Sequence, residues 1–101
     1  MPPPTSRIII QRQTGEILAE YRVGTGEYGV GRDPTNAIPT ESDHVASQHA
    51  RLVIAADGMS IEDLSSTHGT FVNGQATTGA VAIGANQPIQ IGDLFLTVQT
   101  E

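Results

Sequence analysis

The chain is punctuated too often to hold a helix of ordinary length. Nowhere does a window of about 10–12 residues carry a helical apolar period without glycine or proline breaking it. Short apolar or β-branched runs recur instead, separated by turn signals roughly every 8–12 residues, the pattern of an all-β sandwich or barrel. The expected strands are Arg7–Gln11, Ile17–Val23, Glu27–Arg32, Ala37–Ile38, His49–Ile54, Met59–Asp63, Phe71–Val72, Val81–Gly84, Gln87–Ile91 and Asp93–Gln99. Gln13-Thr14-Gly15-Glu16 closes a first hairpin and Ala56-Asp57-Gly58 a second, while Asp33-Pro34-Thr35-Asn36 and Ile91-Gly92-Asp93 are tight turns. Asn73-Gly74 is the strongest short hairpin signal of all.

What fills such a sandwich follows from composition. Only four residues are aromatic, two Phe and two Tyr, so the core must come from Ile, Val and Leu on facing sheets. The 101 residues suffice for one domain with a modest core, expected over residues 7–101 behind a Pro-rich lead of residues 1–6. No apolar run approaches the ~20 residues that span a bilayer, and Met1-Pro2-Pro3-Pro4 has neither the basic nor the apolar region of a secretory signal. The chain has no cysteine, which excludes disulfides, thiolate metal sites and thiol nucleophiles and fits a reducing, cytoplasmic setting.

Charge narrows the partners. The net charge is −6, and the cations are five arginines with no lysine: Arg7, Arg12, Arg22, Arg32 and Arg51. A nucleic-acid binder is expected to present a basic surface, so nucleic acid is not an expected partner. A single phosphate held at short range by one arginine and neutral donors is compatible with this field.

The stretch Asp63–Gly74 concentrates hydroxyls, a histidine and glycines between two apolar patches. Such a connection either satisfies its own backbone as a plain turn or offers donors to an anion at a sheet edge. Two enzymatic readings fail on spacing. His44, His49 and His68 are separated by five and nineteen residues, not by metal-ligand spacing, and no metal or other cofactor is expected. Ser47, His49 and Asp63 include the residue types of a hydrolytic triad but lack a Gly-x-Ser-x-Gly elbow, so the chain is not expected to be an enzyme.

Three separated signals stand in order: Gly31-Arg32 at a strand end, His49-Ala50 seventeen residues after Arg32, and Ser66-Thr67-His68-Gly69-Thr70-Phe71-Val72-Asn73-Gly74. Together they resemble the forkhead-associated (FHA) domain, and the resemblance covers roughly residues 7–99. It implies a two-sheet FHA/SMAD-like β-sandwich of eleven short strands, with binding loops at one end that take phosphothreonine peptides. Carried over residue by residue, it makes Arg32 the phosphate contact, Thr67 a neighbouring hydroxyl, and His49 a brace for the loops. Gly31, Gly69, Asn73 and Gly74, with Thr70, shape the loop and the turn after it. His44 falls where the family reads the peptide three residues beyond the phosphothreonine.

Two positions depart from the family pattern. Its phosphate-binding serine, three residues before the histidine, is Ala46 here, and the hydroxyl stands one residue later at Ser47. Its peptide-gripping asparagine is His68. Loss of a hydroxyl bond to a charged phosphate costs about 1.5–3 kcal/mol, while a histidine still donates one bond. The expected function is therefore phosphothreonine-peptide binding through Arg32, Ser47, Thr67 and His68, in signalling or regulated assembly and often within a larger multidomain protein. The alternative is a degenerate domain that binds an unmodified partner or self-associates.

Overall fold

Alternation of apolar and polar side chains sorts this chain into two sheets with one shared interior. The structure, a computed structural model, describes residues 5–64, 68–77 and 79–100. Its strands are β1 (Ser6–Arg12), β2 (Ile17–Val23), β3 (Gly26–Gly31), β4 (Ile38–Pro39), β5 (Ala50–Ala55), β6 (Gly58–Asp63), β7 (Thr70–Val72), β8 (Gln75–Ala76), β9 (Ala80–Ile83), β10 (Ile89–Ile91) and β11 (Leu94–Thr100). One sheet has the order β2-β1-β11-β10-β7-β8 and the other β4-β3-β5-β6-β9. The all-β sandwich and its eleven strands agree with expectation.

The interior is aliphatic. Ile8, Ile10, Val72, Ile89, Ile91, Leu94, Leu96 and Val98 of the first sheet pack on Val30, Ile38, Ala50, Leu52, Ile54, Ile61 and Ile83 of the second. At about 25 cal/mol per Å² of apolar surface removed from water, this cluster is the main favourable term in folding. Both phenylalanines stay outside it. Phe71 and Phe95 flank Gln90 in register, on the face opposite buried Val72, Leu94 and Leu96. Tyr21 and Tyr28 pack on the margin of the cluster.

Turn chemistry sets the registers. Asn73 and Gly74 have φ of 54° and 78°, the two positive values a type I′ hairpin needs, and they join β7 to β8. The short strand β8 follows from that hairpin and was not expected from its own residues. Gly15, with φ of 94°, closes the β1–β2 turn beside the Arg12–Glu16 ion pair at 3.1 Å.

The remaining differences lie at element boundaries. β1 begins at Ser6, inside the expected lead, because Ser6 pairs with both Val23 and Thr100 and is buried. β4 is Ile38–Pro39 rather than Ala37–Ile38: it pairs in parallel with Val30 and Gly31, and proline is accommodated because β4 is an edge strand.

Candidate functional site

The end of β3 is tied to the loop before β5 by a set of backbone hydrogen bonds. Arg32 N–H donates to the Ala46 carbonyl at 2.9 Å, Asp33 N–H to the Ser47 carbonyl at 3.3 Å, and His49 N–H to the Val30 carbonyl at 2.9 Å. Gly31 permits this approach. A methyl group there would collide with the Ser47 and Ala46 carbonyls, so only glycine fits. Asn36 adds a clamp, its Nδ2 donating to the Ser47 carbonyl at 2.8 Å and the Asp33 carbonyl at 2.9 Å. Asp33 is itself fixed by Thr35, whose N–H and then hydroxyl hold the carboxyl below its ordinary pKa. Arg32 and Ser47 thus project, exposed, from two loops that are laced together.

His49 carries the lacing across to a third loop. Its ring is fully buried. Nδ1 accepts a hydrogen bond from Ala46 N–H at 3.0 Å, so the proton sits on Nε2, which donates to the Gly69 carbonyl at 2.8 Å. Burial depresses its pKa, outweighing the Gly69 bond and nearby Asp63, while His68 acts in the same direction as burial. Gly69, with φ of 84°, also receives the Gly92 N–H at 3.4 Å. Beside it, Thr70 donates its hydroxyl to Asp63 at 2.8 Å, anchoring the start of β7 to the end of β6.

The third loop brings His68 to His44. Their ring centroids are 5.0 Å apart at an interplanar angle of 86°, an edge-to-face contact between exposed rings. The His44 loop is held from below. Ser42 donates its hydroxyl to Asp93, and the same oxygen receives His44 N–H at 3.1 Å. Gly92 leaves room for the His44 carbonyl, which a side chain there would strike. Asp43, almost wholly exposed, places a carboxylate oxygen 3.7 Å from the Arg32 guanidinium.

Of the residues expected to make the site, Arg32, Ser47, His44 and His68 thus lie on loops joined through Gly31, His49 and Gly69. Thr67 lies outside the described residues. Asn73 and Gly74 fall at the far end of β7 from Gly69, where they border a cavity of about 160 Å³ with Phe71, Pro88, Gln90 and Phe95. Both ring nitrogens of His49 are bound to backbone, so it neither relays a proton for Ser47 nor ligates a metal through the ring. No cluster of three His, Cys, Asp or Glu suited to a metal occurs among the described residues. Sequence reasoning passed over Asn36, read only as a turn residue, and Asp43. The Asp33-Pro34-Thr35-Asn36 run gives the turn but not the long-range bond to Ser47.

Comparison with known proteins sets these loops in context. A sequence profile for the FHA domain matches residues 28–92. The FHA domain-containing protein FhaB of Mycolicibacterium smegmatis is 32% identical over 84 residues, which cover 81% of this chain and 54% of FhaB. The chain spans about half the length of the curated relatives it matches, 41% to 54%. The crystal structure of the FHA domain of CT664 protein from Chlamydia trachomatis superposes with a TM-score of 0.85 at 26% identity, covering 94% of this chain and 96% of that one. EmbR of Mycobacterium tuberculosis, solved in complex with a low affinity phosphopeptide, gives a TM-score of 0.77 at 25% identity, covering 92% of this chain and 24% of EmbR.

Proposed function

The chain belongs to the FHA domain family, and from that premise we propose that it is an interaction module that binds phosphothreonine-containing peptides on the loops bearing Arg32, Ser47 and His68. The observation that carries the reading is the backbone lacing of Arg32 to Ala46 and of His49 to Gly69, which holds these loops in place before a ligand arrives. A preformed site loses little conformational entropy on binding.

The roles follow from the chemistry. Arg32 presents a guanidinium fork to phosphate oxygens, a charge-assisted bond about twice as strong as a neutral one. Its present counter-charge, Asp43, is an exposed ion pair of the kind worth about 0–1 kcal/mol, so a phosphate of higher charge displaces it. Ser47 offers a hydroxyl one residue beyond Ala46, and Thr67 supports the phosphate. His68 holds the peptide backbone. His44, against the His68 ring, faces the peptide beyond the phosphothreonine and selects among its residues.

A binding module of this kind acts without catalysis or cofactor, in the cytoplasm, within a longer protein that brings it to a phosphorylated partner. No helix among the described residues is long and apolar enough to cross a membrane. The second reading, a phosphate-independent interaction domain, draws on one feature. Ala46 N–H is already engaged by His49, so it cannot replace the absent hydroxyl.

A degenerate phosphothreonine peptide library and its unphosphorylated twin separate the two. The first reading predicts capture from the phosphorylated library only; equal capture from both, or from neither, contradicts it.

A further inference from the structure

β2 is the outermost strand of the six-stranded sheet and pairs only with β1. There is no proline or lysine in Ile17–Val23, and the irregularity in its pairing with β1 falls between Ala19 and Ile17, so Ala19–Val23 forms a regular edge. Its first two residues, Ile17 and Leu18, are 52% and 42% exposed, the most exposed large aliphatic side chains among the described residues. An unpaired edge of this length is a template for another strand.

We propose that β2 pairs with β2 of a second copy of this chain, antiparallel, about a two-fold axis through Tyr21. Among axes through Glu20, Tyr21 and Arg22, the strand's own charges select this register. In a two-fold antiparallel pair, outward-facing backbone groups meet only when the axis passes through a residue. An axis through Glu20 sets that carboxylate against the partner's Glu20, and an axis through Arg22 sets guanidinium against guanidinium. An axis through Tyr21 sets Glu20 against the partner's Arg22 twice over, and Ala19 against the partner's Val23. Opposite charges directly across a strand pair stabilise it, and like charges destabilise it. Both Glu20 and Arg22 are exposed. Leu18 then lies against the partner's Gly24, a position where an added Cβ meets nothing within 4 Å. No residue of β2 belongs to the phosphopeptide site, so the inference does not rest on that reading.

Sedimentation equilibrium of the chain over a dilution series is the test. The wild type should form a dimer that dissociates on dilution. Glu20→Arg and Arg22→Glu should each weaken it by about tenfold or more, because each confronts like charges twice. An equimolar mixture of the two variants should restore the dimer, since one presents two cations and the other two carboxylates in the same register. The double variant Glu20→Arg/Arg22→Glu should dimerise like the wild type. A monomeric wild type throughout, single variants that dimerise unchanged, or a mixture that stays monomeric would each overturn the proposal. Circular dichroism of every variant checks that these surface changes leave the fold intact.

Discussion

The imidazole of His49 donates from Nε2 to the carbonyl of Gly69 at 2.8 Å, joining two loops twenty residues apart through a fully buried ring. The other nitrogen accepts from Ala46, so a proton added there would break that bond and bury a charge. The folded state therefore resists protonation, and its pKa lies below the unfolded value of 6.5. Below 6.5 the unfolded chain takes up the proton first, so this group's contribution to stability falls as pH drops, until the folded pKa is passed. Thermal melts from pH 8 to pH 5 should show a declining midpoint below about 6.5, and ring nitrogen shifts should report the Nε2–H tautomer across that window. A ring that protonates at or above 6.5 would contradict the assignment.

Gly31→Ala tests the contact between the Arg32 and Ser47 loops. The new methyl meets backbone carbonyls of Ser47 and Ala46, which cannot swing aside as a side chain would. A loss of about 1–3 kcal/mol is expected in denaturant titrations, with weaker peptide binding as the loops part. Gly79→Ala, where nothing lies within 4 Å of the added carbon, should stay within about 0.5 kcal/mol of wild type.

Ala46→Ser restores the hydroxyl that the family places beside the phosphate. Affinity for a phosphothreonine peptide should rise about tenfold or more, and affinity for the unphosphorylated peptide should not change. Calorimetric titration with both peptides measures this directly.

Asp43→Asn removes the carboxylate 3.7 Å from Arg32. Phosphopeptide affinity should increase about two- to fivefold at low salt, and the gain should shrink at high salt as the exposed charge is screened. An unchanged affinity would mean that Asp43 and the phosphate do not compete for Arg32.

The sequence made the fold legible because its signals were local. β-branched runs, Gly15 and the Asn73-Gly74 pair each specify a strand or turn from their own chemistry. β8 was missed because Gln75–Ala76 has no β propensity and is a strand only through the hairpin before it. The candidate loops were legible through Gly31-Arg32, His49-Ala50 and the run ending at Asn73-Gly74, whose order matched a family pattern, whereas Ser47 and His68 stand where this chain departs from it. The Asn36–Ser47, Asp43–Arg32 and His44–His68 contacts were not, since each depends on how loops distant in sequence fold back. Gly31 was legible as a motif residue, but its cause, the Ser47 carbonyl over its Cα, exists only in three dimensions.

The central claim is that Arg32 and the loops laced to it hold a phosphate. It is tested most directly by titrating one peptide, with and without its threonine phosphate, into the wild type and into Arg32→Ala. Arg32 is exposed, so the substitution removes the guanidinium while the β3 backbone bonds to Ala46 remain. The account predicts phosphate-dependent binding by the wild type that disappears in Arg32→Ala, with melting temperatures alike. Undiminished binding of the phosphopeptide by Arg32→Ala would contradict it.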